Sequence, residues 1–110
     1  MERIIHLPSG SLASRRAAIP IRDQIIKAFE NPAVSRIIID LQGVDVISGS
    51  FADESIAILV KIYGWDKVKN KLRLRNGNGI TERNIAEAIL IRRQAEDAEQ
   101  HQEMMQHAFA

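Results

Sequence analysis

The sequence predicts a small two-layer α/β domain, a mainly parallel sheet with its helices largely on one face. Three observations carry that expectation. The saturated apolar run Ile37-Ile38-Ile39 has the composition of a central parallel strand. Lys71 to Asn76, KLRLRN, alternates strictly, with Leu72 and Leu74 on one side and Lys71, Arg73 and Arg75 on the other, so one sheet face is open to solvent at this strand. Helical segments on short connections separate the strand-like ones, as in right-handed strand–helix–strand units.

Taken in order, Met1 to Leu7 alternates as a first strand and is closed by Pro8-Ser9-Gly10. A helical segment follows from about Ser14, with Ile21, Ile25, Ile26 and Phe29 as its apolar stripe and Glu30-Asn31-Pro32 as its stop. Pro20 places the start of the main helix near itself, behind a looser turn over Ser11 to Ile19. Arg36 to Leu41 is the second strand, its three isoleucines implying burial on both faces. A short turn through Gln42-Gly43 leads past Val44, Val46 and Ile47 into Ser48-Gly49-Ser50 and a helix from Phe51 to about Gly64, with Phe51, Ile58 and Ile62 on its buried face. The third strand, Lys71 to Asn76, ends in the turn Asn76-Gly77-Asn78-Gly79. A last helix starts at Thr81 and packs through Ile85, Ala88, Ile89 and Arg92.

Composition narrows the function. At 110 residues, 45% of them apolar, the chain can build one domain with a core but not two. Fifteen basic against fourteen acidic residues give a net charge of +1, no pull toward nucleic acid or an anionic membrane. The absence of cysteine excludes a disulfide framework, a thiol nucleophile and a sulfur-based zinc site, and fits a reducing cytoplasm. The N-terminus MERIIHLPSG lacks the features of a signal peptide, and no apolar run approaches the roughly 20 residues that span a bilayer. A soluble, cytoplasmic protein is expected.

The chemistry-bearing residues concentrate where the second strand runs into the second helix, because that order of elements aims unpaired N–H groups at the carboxyl edge of the sheet. Ser50-x-x-Asp53 has the form of a capping box, with Ser50 as the cap and Asp53 answering its N–H. The other reading of Ser50 is a phosphoacceptor, which the helix N-terminus favours and Asp53 and Glu54 oppose. Adjacent helical residues point about 100° apart, so Asp53 and Glu54 do not converge on one atom, and no His lies at ligand spacing. No metal, cofactor or catalytic role is assigned to them. One caps the helix and the other offers charge to a partner or an arginine. Arg15 and Arg16 either bind a phosphate, pair with these acids or form no more than a solvated helix start.

Elsewhere the signals are weaker. Lys67, Lys69, Lys71, Arg73 and Arg75 read as a solvated sheet face, since no recognition helix or stacking platform accompanies them. Asn76 to Gly79 lacks the lysine and spacing of a phosphate loop. His101 and His107 do not share a helical face, and His6 sits in an edge strand.

The series of an isoleucine-rich strand ending in Asp40, Gly43-Val44, and Ser50-Phe51-Ala52-Asp53-Glu54 resembles the bacterial STAS-like domains of unknown function, relatives of anti-sigma-factor antagonists. Ser14-Arg15 upstream and Asn76-Gly77-Asn78 downstream belong to the same pattern, which spans roughly Ile4 to Arg93. The resemblance implies a small STAS-type fold over residues 1–93 and a non-enzymatic, regulatory protein-interaction module that docks on a partner such as a histidine-kinase-type ATPase. The motif residues it singles out are Arg15, Ser48, Ser50, Phe51, Asp53 and Glu54. It also puts Ser50 at the phosphoacceptor position of true antagonists, with Ser48 where their aspartate stands and Phe51 where their glycine stands. A phosphorylation switch at Ser50, and a nucleotide-binding or enzymatic use of the Ser48–Glu54 loop, are the alternatives.

Residues 94–110 form a helical extension. Helix propensity stays high while the apolar stripe thins to Ala95, Ala98, Met105 and Phe109. The segment is either a frayed tail or a surface for a partner, a second copy included.

Overall fold

The computed structural model describes residues 1–109, with side chains described through Met105; the side chains of His107 and Phe109 therefore lie outside the described residues. The chain folds as expected into a mixed α/β domain with parallel sheets. Strands β1 (Glu2–His6), β3 (Arg36–Asp40) and β5 (Leu72–Arg75) pair in parallel in the order β1-β3-β5. Ile5, Ile37, Ile39 and Leu72 are buried under helices on one face, while Ile4, Ile38 and Arg73 form a row across the other.

That second face corrects the reading of the isoleucine run. Ile38 is only half-buried and its neighbour Ile4 is 41% exposed, because among the described residues no helix covers this side of the three strands. Arg73 is exposed on it, as the alternation of the third strand requires. Lys67 and Lys69 do not share the face. They sit on a short helix, α4 (Trp65–Lys71), that composition alone did not reveal, and the Lys71 Nζ turns away to donate to the Phe29 carbonyl.

Two further strands lie in segments expected to be connections, the loose turn after Gly10 and the stretch between Gly43 and Ser48. β2 (Gly10–Leu12) and β4 (Val44–Ile47) make a second parallel pair. They continue the β1–β3 ribbon past a bend, bridged by Leu7 N–H to Asp40 O at 3.2 Å and Gly10 N–H to Gly43 O at 2.8 Å. Gly43 holds φ at +81° and its absent side chain faces Ser9 at close range, so this crossing of the two chains favours glycine.

Helix α1 runs over Arg15–Glu30 and begins five residues before Pro20. Ser14 caps it, its Oγ accepting the Ala17 N–H at 3.0 Å. Pro20 cannot donate to the Arg16 carbonyl, but both residues are exposed, so water can serve that carbonyl and the helix passes through. The next helix is continuous from Gly49 to Tyr63 and made of α2 (Gly49–Ala52), a π-turn over Asp53–Ala57 and α3 (Ile58–Tyr63). The π-turn inserts one residue and rotates the buried stripe. Ile56, Ala57, Leu59 and Val60 are therefore inside, and Ile62, expected on the buried face, is 48% exposed. This helix lies between α1 and α5 and forms the centre of the core.

The turn before α5 (Ile80–Phe109) is fastened by asparagines. Asn78 Oδ1 accepts from the N–H groups of Ile80 and Thr81 at 3.1 and 3.0 Å, and its Nδ2 donates to Asp45 O at 2.9 Å. Asn76 takes φ +62° and donates to the carboxylate of Asp40. Helix α5 is continuous through Arg93, whose guanidinium lies 4.7 Å over the Trp65 ring. From Gln94 to Met105 every residue except Glu96 is exposed, and the molecule extends 52 Å along its longest axis against 31 and 23 Å across. Among the described residues no helix is long and apolar enough to cross a membrane.

Candidate functional site

Helices α1 and α2 start side by side because β2 and β4 are parallel neighbours and each feeds a helix from its carboxyl end. Ser48 ties the two starts together. Its N–H donates to Leu12 O at 2.8 Å and its Oγ donates to Ala13 O at 2.6 Å, while the same Oγ accepts the Phe51 N–H at 3.0 Å. Ser48 is thus the helix cap, and the expected capping box on Ser50 and Asp53 does not form. The helix opens two residues earlier than the apolar pattern suggests. Ser50 lies in its first turn, exposed, and takes no part in capping.

Asp53 and Glu54, released from capping, meet arginines. Arg15 donates to Asp53 Oδ2 at 2.6 Å and to Glu54 Oε2 at 3.4 Å. Arg92, from α5, grips Asp53 with both Nε and Nη2, at 2.7 and 2.9 Å. Arg22, on α1, donates to Glu54 Oε1 at 2.8 Å. The two carboxylates are only 16% and 18% exposed, and charges so placed need partners. Burial pushes the Asp53 carboxyl up, but hydrogen bonds from Arg92 and Arg15 outweigh it and hold its pKa below the ordinary value. The bond to Asp53 raises the Arg92 and Arg15 guanidinium values in turn.

One carboxylate therefore joins three helices, and beside it opens a cleft of about 580 Å³ whose walls include Arg15, Ser50, Asp53, Glu87, Ile91 and Arg92. Of the motif residues singled out in sequence, Arg15, Ser50 and Asp53 come together here. Glu54 stands beside them, paired with Arg22 and Arg15. Phe51 is fully buried and serves as the anchor of the helix start rather than a contact surface. Sequence reasoning missed Arg22 and Arg92 as members of the site. Arg92 carried a usable signal, a cation in register with Ile85 and Ala88 on a packing face, which must find an anion inside the protein.

The exchange of caps is testable by denaturation. Ser48→Ala is expected to cost about 1–2 kcal/mol, the loss of a cap that also bonds Ala13 O. Ser50→Ala is expected to stay within about 0.5 kcal/mol of the parent. The opposite order would return the cap to Ser50.

The fold and site define a small α/β domain in which a parallel ribbon delivers two helix starts to one ionic cluster. The sequence model of the STAS-like domain of unknown function (DUF4325) matches residues 17–82, more than half of the chain, and the chain belongs to that family. The matched span includes Ser48 to Glu54 and Arg22, with Arg15 and Arg92 on either side of it. No curated protein and no solved structure matches the chain.

Proposed function

We propose that this STAS-like domain is a non-enzymatic interaction module whose docking surface is the mouth of the Ser50 cleft, and that its partner is a protein with a histidine-kinase-type ATPase domain. The observation that carries the reading is the position of Ser50. With Ser48 capping, the Ser50 hydroxyl is left exposed on a rigid helix start, beside a wall of charge fixed by Asp53. Side chains held by packing and ion pairs present a surface at little entropic cost on binding. The partner class follows the resemblance to anti-sigma-factor antagonists.

A photo-crosslinking residue in place of the exposed Glu87, in cells that make the protein, tests it, with Arg73 on the open sheet face as the control position. Expected is capture of an ATPase of that class from position 87, and loss of the adduct in Ser50→Asp. Capture from 73 alone, or an adduct indifferent to position 50, would overturn the reading.

A second reading, phosphorylation of Ser50 as a switch on that docking, is favoured by the pairing of the acids. Asp53 and Glu54 would repel a phosphate if free, but three arginines already face them. Intact-mass measurement of the native protein, showing one added phosphate that Ser50→Ala removes, decides it.

A further inference from the structure

The free half of α5 carries a second surface. Outward from the buried Ala88, small or apolar residues recur at spacings of three and four: Ile91, Ala95, Ala98 and, after Gln102, Met105. That is the a/d seam of a coiled coil, and in the sequence it continues to Phe109. Ile91 is 65% and Met105 48% exposed, so the seam leaves the domain uncovered. The 16 residues from Gln94 to Phe109 make about 24 Å of helix, a length that is marginal in water without a partner.

We infer that the seam is covered by the same helix of a second copy, running antiparallel. Side-chain size sets the direction. Beyond Ile91, Ala95 and Ala98 occupy the inner part of the seam and the longer Gln102 and Met105 its outer part. An antiparallel pair brings a against d, and the register centred on the free half sets Ala95 against the partner's Met105 and Ala98 against the partner's Gln102, small against large. A parallel pair sets alanine on alanine and methionine on methionine, a gap followed by a bulge.

Charge agrees. Residues 94–110 hold four acids and no Lys or Arg, whereas residues 1–93 hold fifteen basic against ten acidic residues. In a parallel pair each of the four acids lies level with its own copy, whereas the antiparallel register sets Glu103 about one turn short of the partner's Arg93. One like-charge contact results, Glu99 against the partner's Glu99 across the two-fold axis, exposed and screened. The inner end of the seam, Ala88, Ile91 and Ala95, also walls the Ser50 cleft, so the partner's helix tip comes to the cleft mouth and completes its wall.

The chain has no cysteine, which makes its crosslinking unambiguous. Ala95→Cys and Met105→Cys, both at exposed positions, are oxidised separately and as a mixture. Expected is a disulfide-linked dimer from the mixture and little from either alone, and for the parent a light-scattering mass near twice its 12.4 kDa. Glu99→Gln is expected to tighten the dimer severalfold. Self-crosslinking of each variant as readily as in the mixture would mean a parallel pair and overturn the inference, and so would a monomer at every concentration. The outcome does not depend on whether the cleft binds an ATPase, which the position-87 crosslink reads separately.

Discussion

Phe51→Ala is expected to cost about 3–5 kcal/mol of unfolding free energy. The side chain has no exposure and is the largest of the fully buried ones. It is fixed by the same turn that Ser48 caps, where α2 packs against both α1 and α5. Helices pinned by caps and ion pairs cannot collapse freely into the space a lost ring leaves, which puts the cost at the upper end for such deletions. Domains of this size have about 5–15 kcal/mol in total, so the variant should be only marginally folded. Urea denaturation followed by circular dichroism should show a lowered midpoint with an unchanged slope. Phe51→Leu, which keeps most of the volume, should cost about 1.5 kcal/mol or less. A cost below about 1 kcal/mol for Phe51→Ala would mean that the ring is not in the core, and would return it to the contact surface.

The second large effect belongs to Asp53. Asp53→Ala strands Arg92, only 24% exposed, without its bidentate partner and removes the joint of three helices. Breaking a fully buried pair costs about 3–5 kcal/mol, and with Arg15 half open to water about 2 kcal/mol is expected here. Arg92→Ala should destabilise more than Arg15→Ala, since Arg92 makes two bonds and is less exposed. The same carboxylate gives a pH signature. Its folded pKa lies below the unfolded one, so its contribution is complete above the ordinary aspartate value, near 3.9, and is lost as pH falls through the folded value. Asp40 behaves alike: the Gln42 N–H, the Asn76 amide and Arg75 hold it at about 2. Stability should therefore fall between about pH 4 and pH 2. Asp53→Asn should flatten part of that fall, and an unchanged acid profile would show that the carboxylate is not held as described.

The three-stranded sheet was legible because its strands carry period-two patterns long enough to register, and KLRLRN correctly left one face bare. Strands β2 and β4 were not, because three or four residues beside glycines look like turns, and only the pairing of Gly10 with Val44 makes them strands. Pro20 points to a later start of α1 than the true one, because a missing N–H stops a helix only where the carbonyl it leaves is closed to water, and Arg16 is exposed. The motif Ser48 to Glu54 pointed to the right place, but which serine caps depended on a main-chain carbonyl, Ala13 O, 35 residues away in sequence. Arg92 is nearly forty residues from Asp53, and only the fold supplies that pairing.

The π-turn over Asp53–Ala57 separates two tasks along one helix. Before it Phe51 and after it Leu59 stay in the interior, while the wider turn between them carries Asp53 and Glu54 toward arginines from α1 and α5. The core therefore holds both ends of the wide turn, and the arginines hold its outer side. A change that returned this stretch to regular helical bonding would shift the acids against the arginines while Phe51 kept its anchor, so loss of the ionic cluster and loss of the fold are separable events.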